Sequence, residues 1–409
     1  NLKGSSNREN PQENITYQAN IESPNFNIGK FLGVDILGDG KLHVDAKAKV
    51  GDLKDLKCEL IAAVENFNIN GNRYNTIEIE GEMQEGVVNA TCDVIDNAAM
   101  INLNCEMDLL NNMSLVLRGD LNEVNLQKMN FFSFPDTTTL ISADIVARTN
   151  GFDLDSLRGF IDFRNAMITT QTKNYDIDYL NIRTRNDSTA NILTLNSNIF
   201  SLVAEGQYSI DGLTESVTSF INNYIPDFSL LTKNQRKNEK NQRKIEKNQR
   251  KNKINLRLEV KDFATLSELL ALNMHIAPQS ILTANISPEQ DLNLELNSDY
   301  FIYDTYAFKD ISLLSKTHNG NFYNKISIND IKLTDSLNIS ENSLQLNFNR
   351  NDIELGLKAG MGDKNQLSTQ LNFKGFLGEN GLLGSFSNSL IDISNSRIEL
   401  NSNHSINYF

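Results

Sequence analysis

From Gly40 the chain alternates apolar and polar residues with a period of two and scarcely stops. In GKLHVDAKAKV, Leu42, Val44, Ala46, Ala48 and Val50 fall on one side and His43, Asp45, Lys47 and Lys49 on the other. That period predicts a half-buried β-strand, because successive side chains of an extended chain point to opposite faces. The pattern returns in Ile77 and Ile79, in Ile101, Leu103 and Cys105, and in Met113, Leu115 and Leu117. Beyond residue 253 it resumes with Ile254, Leu256, Leu258 and Val260, then Leu292, Leu294 and Leu296, then Leu344, Leu346 and Phe348, and then Ile353, Leu355 and Leu357. Clusters such as Asn70-Gly71-Asn72, Gly119-Asp120 and Asn349-Arg350-Asn351-Asp352 separate the runs and predict tight hairpin connections.

Three stretches break the rhythm. LTESVTSFINNYIP (213–226) places Leu213, Val217, Phe220, Ile221 and Tyr224 at helical spacing, and Pro226 ends it. FATLSELLALN (263–273) predicts a second short helix, with Thr265 or Ser267 as its cap. Between them KNQRKNEKNQRKIEKNQRKNK, Lys233–Lys253, repeats one seven-residue phrase three times. Ile245 is its only apolar residue, so no coiled-coil seam exists, and the stretch reads as a loop insertion between two sheet runs. The chain therefore divides into a polar, partly looped lead-in (1–24), a first β segment (25–230) ending in a short helix, the basic low-complexity insertion (231–254) and a second β segment (255–409).

A strand series with one aliphatic face must cover that face, by pairing sheets, closing a barrel, curling into a groove or presenting the face to lipid. Long uninterrupted antiparallel series fit an elongated, curled sheet with an open hydrophobic groove better than a compact sandwich. The expected fold class is all-β, with a few short amphipathic helices.

Composition narrows the function. The net charge is −14, which argues against nucleic acid as the main partner. The basic insertion holds ten Lys and Arg against two Glu, so the rest of the chain carries about −22. Cys58, Cys92 and Cys105 form neither a disulfide framework nor a metal knuckle and are expected to be small buried apolar side chains. His43, His275, His318 and His404 are scattered. No metalloprotease, nucleophile-elbow, phosphate-loop or dinucleotide motif occurs, so no catalytic residue, metal or cofactor is expected. No apolar run approaches the ~20 residues of a spanning helix.

The residues also carry a resemblance. FNIGKFLG, LGDGKLHVDAKAKV and FNINGNRYNTIEIEGEM resemble the corresponding phrases of TamB-type proteins of the AsmA-like superfamily, in their Bacteroidetes form. Tyr74-Asn75-Thr76-Ile77 to Gly81, Asp96-Asn97 through Ile101–Met107 and Gly119-Asp120-Leu121 to Leu126, and Ser216–Pro226 follow in the family's order. The likeness is densest over 25–230 and rests on strand pattern alone after 255. It implies a β-sheet curled into a taco-shaped trough with an apolar interior, on the order of 100 Å long for about 20 strands. It also implies a periplasmic segment of a Gram-negative envelope protein, anchored in the inner membrane through parts outside this segment. Such a protein would conduct phospholipid between the membranes, or aid outer-membrane protein assembly beside a barrel partner. The expected contacts are phospholipid acyl chains lying on Leu42, Val44, Ala46, Ile77, Ile79, Ile101, Leu103, Leu115, Leu117, Leu256, Leu258, Leu294, Leu346 and Leu355. The rival expectation is an outer-membrane β-barrel or a surface-exposed β-rich adhesin. The closing SINYF ends in an aromatic as barrel strands do, but the chain lacks Trp and the aromatic girdles of a lipid-facing barrel.

Overall fold

The computed structural model describes residues 2–6, 15–32, 37–49, 56–110, 114–128, 134–150, 158–186, 190–207, 253–286, 291–318, 321–334, 337–349, 351–361, 367–378, 381–393, 396–401 and 405–408. The class is all-β, an open, unclosed and curled antiparallel sheet, with 81% strand and 3% helix among the described residues. The chain forms two compact units, residues 1–185 with 195–198, and residues 186–194 with 199–409. The division thus precedes the basic insertion.

In the first unit the strands are β1 (Leu2–Ser6), β2 (Ile15–Asn27), β3 (Asp39–Lys49), β4 (Lys57–Ile69), β5 (Asn72–Gln84), β6 (Val87–Asp96), β7 (Ala99–Asp108), β8 (Ser114–Val124), β9 (Leu140–Asn150), β10 (Arg158–Thr169) and β11 (Asn174–Asn186). Each pairs antiparallel with the next in sequence, so chain neighbours are sheet neighbours throughout. A five-residue helix, α1 (Ile28–Leu32), links β2 to β3. The strand pattern extends into the expected lead-in: Tyr17, Ala19 and Ile21 pair with Ala48, Ala46 and Val44 of β3. Residues 15–24 are therefore sheet and not loop, because they repeat the same alternation beside a strand that needs a partner.

β12 (Asn191–Ser197) lies at the division between the units. The second unit holds β13 (Phe200–Gln207), β14 (Lys253–Val260), α2 (Phe263–Leu269), β15 (Met274–Ile276), β16 (Ile281–Ile286), β17 (Leu292–Tyr303), β18 (Tyr306–His318), β19 (Asn321–Thr334), β20 (Leu337–Asn349), β21 (Asp352–Met361) and β22 (Leu367–Gly378). Past β22 the ladder splits lengthwise. β23 (Gly381–Phe386) pairs with one half of β22 and β24 (Ser389–Ile393) with the other. Outside them, β26 (Ser405–Tyr408) pairs with β23 and β25 (Ser396–Leu400) with β24.

One local expectation changes. The helix at 263 starts from Asp262, whose carboxylate accepts from the Ala264 N–H at 3.0 Å and from the Thr265 hydroxyl at 2.9 Å. Thr265 and Ser267 lie inside the helix, and Asp is the stronger N-cap. The expected helix at 213–226 and the repeat at 233–252 lie outside the described residues. The strands flanking them, β13 and β14, pair directly with Gln207 opposite Lys253. The chain between them therefore begins and finishes at neighbouring positions on the sheet.

Bulges curl the sheet. Asn66, Glu123, Asn165 and Asp178 in the first unit and Asp310 and Glu341 in the second sit mid-strand with φ between 50° and 56°. Asn and Asp tolerate this left-handed region best. Such bulges sharpen the local twist and bend the strand. They also reset the alternation. On β4 the apolar residues run Leu60, Ala62 and Val64 and then skip to Phe67, and on β8 Leu121 is followed by Val124. Val64, Phe67, Tyr74, Ile77, Ala99 and Val124 pack together as one buried cluster, so the skip keeps both sets on the same side.

Candidate functional site: a continuous apolar sheet face

Residues directly opposite one another in an antiparallel ladder share a face, so register shows which side chains meet. In the first unit Leu42 pairs with Val64, Val64 with Ile77, Ile77 with Val94, Val94 with Ile101, and Ile101 with Leu121. The next row runs Ile21, Val44, Ala62, Ile79, Cys92, Leu103, Gly119, Ile145, Phe163 and Leu180. The row beyond runs Ala19, Ala46, Leu60, Gly81, Ala90, Cys105, Leu117, Ala147, Ile161 and Ile182, and Leu115 lies one row further with Met107 and Met83's partner Val88. All nine residues chosen from the sequence in this unit thus lie on one face, and that face is apolar from β2 to β11.

The second unit repeats the arrangement. One row runs Leu202, Leu258, Leu282, Leu296, Leu313, Ile326, Leu344, Leu357 and Leu371. Its neighbour runs Ala204, Leu256, Ala284, Leu294, Ser315, Asn324, Leu346, Leu355, Phe373 and Phe386. The five residues chosen here, Leu256, Leu258, Leu294, Leu346 and Leu355, therefore also share one face.

Burial separates this face from an ordinary core. Among the fourteen chosen residues only Ile77 is buried, at 6% exposure, and the other thirteen keep intermediate exposure. Side chains clamped between two sheets would be excluded from water along their whole length. Full burial recurs at small positions of the same rows, Ala62, Ala147, Ala204 and Ala284, and at Phe373, and it gathers at one end of the first unit, where Val64, Phe67, Tyr74, Ile77, Ala99 and Val124 cluster and Ile28, Leu37 and Leu126 pack against them.

The cysteines belong to this face. Cys92 and Cys105 stand in adjacent rows of β6 and β7, and Cys58 pairs with Met83. All three are free and half-buried rather than fully buried, because the face they line is not sealed. Burial pushes the Cys92 thiol above its usual range, with the Asp93 charge adding, and burial does the same for Cys105. Both act as neutral, apolar side chains.

The opposite face is charged. Glu78 pairs with Asp93, Asp93 with Asn102, and Asn102 with Asp120; Glu59 pairs with Glu82. His43 is solvated there, its Nε2 3.0 Å from Asp45 and its Nδ1 3.5 Å from Glu22. The Asn20 amide, and then His43, hold the Asp45 carboxyl below its usual range. Asp162 is the buried exception, 6% exposed and held by Arg183 at 2.6 Å, whose guanidinium stacks on Phe160. Clefts of about 520 Å³ and 590 Å³ open on these polar faces, the first walled by Glu59, Glu80, Glu82 and Glu106 and the second by Lys316, Tyr323, Glu354 and Lys374. Among the described residues no group of His, Cys, Asp or Glu could hold a metal ion, and no helix is long and apolar enough to cross a membrane.

Sequence reasoning missed part of the face. Leu60, Ala62 and Val64 belong to it, but the run LIAAV hides its own alternation, with Ile61 on the polar side at 57% exposure. Phe163, Leu180, Ile161 and Ile182 were legible in principle, since β10 and β11 alternate on either side of their bulges. No family model, curated protein or solved structure matches this chain.

Proposed function

We propose that this chain is a lipid conduit that holds phospholipid acyl chains against its apolar sheet face while head groups remain in water. The observation that carries the reading is the combination of register and exposure: apolar rows cross ten consecutive strands, and their larger side chains, apart from Val64 and Ile77, are only partly shielded. Exposed contiguous apolar surface on this scale marks a binding surface. An aliphatic lining offers dispersion and hydrophobic contact without directional bonds, so a chain lying on it can slide from row to row. Acyl chains suit such a surface because each buried methylene gains about 0.8 kcal/mol with no preferred position.

The resemblance to TamB-type proteins supports a place for this segment in the periplasm of a Gram-negative envelope, as part of a longer protein anchored in the inner membrane. It supports transfer of phospholipid towards the outer membrane, or assistance to barrel assembly there, without catalysis, metal or nucleic acid. The open sheet favours this reading over an outer-membrane barrel, whose strands must close on themselves.

The test is transfer of fluorescent phospholipid between donor and acceptor vesicles by the purified chain. Leu103→Asp with Leu117→Asp should abolish transfer while leaving the far-UV circular dichroism of the sheet in place. Equal transfer by this variant and the parent would overturn the reading.

A further inference from the structure

The apolar face of the first unit finishes differently at the two ends of its strands. At one end the chain connections fold over it. Val64, Phe67, Tyr74, Ile77, Ala99 and Val124, from β4, β5, β7 and β8, are buried there, and Ile28 of α1, Leu37 and Leu126 pack against them. Backbone hydrogen bonds tie these connections down. The Ile28 N–H donates to the Gly38 carbonyl at 3.0 Å, Gly38 to the Asn68 carbonyl at 2.7 Å and Asn125 to the Ala98 carbonyl at 2.7 Å. Gly40 brings the chain so close that a Cβ there would lie 2.8 Å from Val64. At the other end Cys58, Met83, Met107 and Leu115 keep intermediate exposure. The strands finish beside them in a mostly polar row, Lys57, Gln84, Val87, Asp108 and Ser114.

This asymmetry fixes how an amphiphile can lie. Its head group must stay in water, because a polar or charged group set on aliphatic side chains loses hydration without gaining a partner. Across the strands the rows stay apolar from β2 to β11, so a lipid lying that way would rest its head on the lining. Along the strands there are two margins. The first is filled by the buried cluster and its covering connections, and the second ends in polar side chains. From the Ile101–Leu121 pair beside the cluster to the Met107–Leu115 pair at the polar end is six residues on either strand, about 20 Å at the rise of an extended chain. One acyl chain fills half of a bilayer's apolar core, about 15 Å. The open length therefore takes one such chain lengthwise.

We infer that acyl chains lie along the strands from β4 to β8, with their methyl ends stopped against the Phe67–Tyr74 cluster and their head groups at the Lys57–Ser114 margin. This rests on the lipid reading above and gives it a polarity and a length limit. The ligand class is a phospholipid with acyl chains of bilayer length. Movement along the trough then passes the lipid from strand to strand without turning it round, and a chain longer than the open face pushes its head beyond the margin.

The experiment gives the full chain vesicles of phosphatidylcholine that carry a diazirine either on the last carbon of an acyl chain or on the head group. Adducts are mapped by mass spectrometry after irradiation. The tail-end probe should label Val94, Ile101 and Leu121, and the head-group probe Gln84, Asp108 and Ser114, with no exchange between the two sets. Leu121→Trp fills the position beside the stop and should shift the tail-end adducts one row outward, to Cys92 and Leu103. Should that variant fail to fold, the map of the parent chain decides alone. Both probes labelling both margins alike, a reversed map, or an unmoved map in folded Leu121→Trp would overturn the orientation and leave the conduit standing. No adduct from either probe anywhere on the apolar face would overturn both.

Discussion

The two units line their apolar faces with different materials. The first is aliphatic and small: rows through Gly81, Ala90, Cys105 and Gly119 leave gaps between larger side chains, and polarity is kept off the face as far as β8. The second is fuller and more aromatic. Phe301 stacks on Phe308 at 5.8 Å, Phe322 on Phe348 at 6.3 Å, and Phe373 meets Phe386 edge-on at 5.5 Å. It also carries polar atoms in mid-face: the Ser315 hydroxyl donates to Asn324 Oδ1 at 2.7 Å, and the Asn324 amide donates to the Leu346 carbonyl at 3.2 Å. One face is uniform, and the other alternates apolar stretches with a satisfied polar notch. The difference teaches that the common requirement is an apolar surface on one side of a bulged sheet, and that neither unit depends on a particular packed side chain along its whole length.

The largest expected effect strikes the first unit at Gly119, where backbone closeness replaces side-chain packing. A Cβ there would lie 1.9 Å from the Asn102 carbonyl oxygen. Gly119→Val should cost about 4 kcal/mol or more in urea unfolding, a loss reserved for strain of this kind. Next comes the buried cluster. Phe67→Ala should cost roughly 3–5 kcal/mol, against about 1–2 kcal/mol for Leu294→Ala on the half-exposed face of the second unit. Equal losses would mean that the second face is sealed and the contrast false. The polar notch gives a smaller effect. Ser315→Ala with Asn324→Leu should change stability by no more than about 1 kcal/mol, since the hydroxyl and its amide partner leave together and only the Leu346 carbonyl loses a donor. The same double substitution should raise lipid capture at Leu346, because it makes the second face as uniform as the first.

Acid should act weakly on both units. The hydrogen bond from Arg73 holds Asp39 below its usual range in the first, and those from Lys374 and Arg397 do the same for Glu354 and Asp392 in the second. A depressed carboxylate contributes stability above its unfolded pKa and loses it as pH falls through the folded value. Melting temperature should therefore drop between about pH 4.5 and the folded values below it, with a small amplitude that 1 M salt erases, since these pairs are exposed. The smallest change is expected from removing residues 233–252. Bringing Gln207 and Lys253, paired on the sheet, closer in sequence lowers the entropy of closure and should stabilise by only about 0.5 kcal/mol, read from the urea midpoint.

Much of this was legible in the alternation. Each of the fourteen residues chosen from the sequence lies on the apolar side of its unit, because period two leaves a strand no choice of face once one side is greasy. The parity resets were not legible. Asn66, Glu123, Asp310 and Glu341 look like ordinary polar positions, and their positive φ comes from ladder geometry rather than from residue type alone. The burial of Tyr74 was equally hidden, since Tyr74 entered only as part of a turn phrase. It depends on Phe67 across the strand and on Val124, some fifty residues away.

The most direct test of the conduit places a photo-crosslinking amino acid at single positions of the chain produced in a Gram-negative envelope. The apolar positions are Leu103 and Leu117 in the first unit and Leu258 and Leu355 in the second, with Glu80 and Lys316 as polar-face controls. The account predicts phospholipid adducts, identified by mass spectrometry, at all four apolar positions and neither control. Adducts confined to the controls, or none at any apolar position in a folded chain, would contradict it.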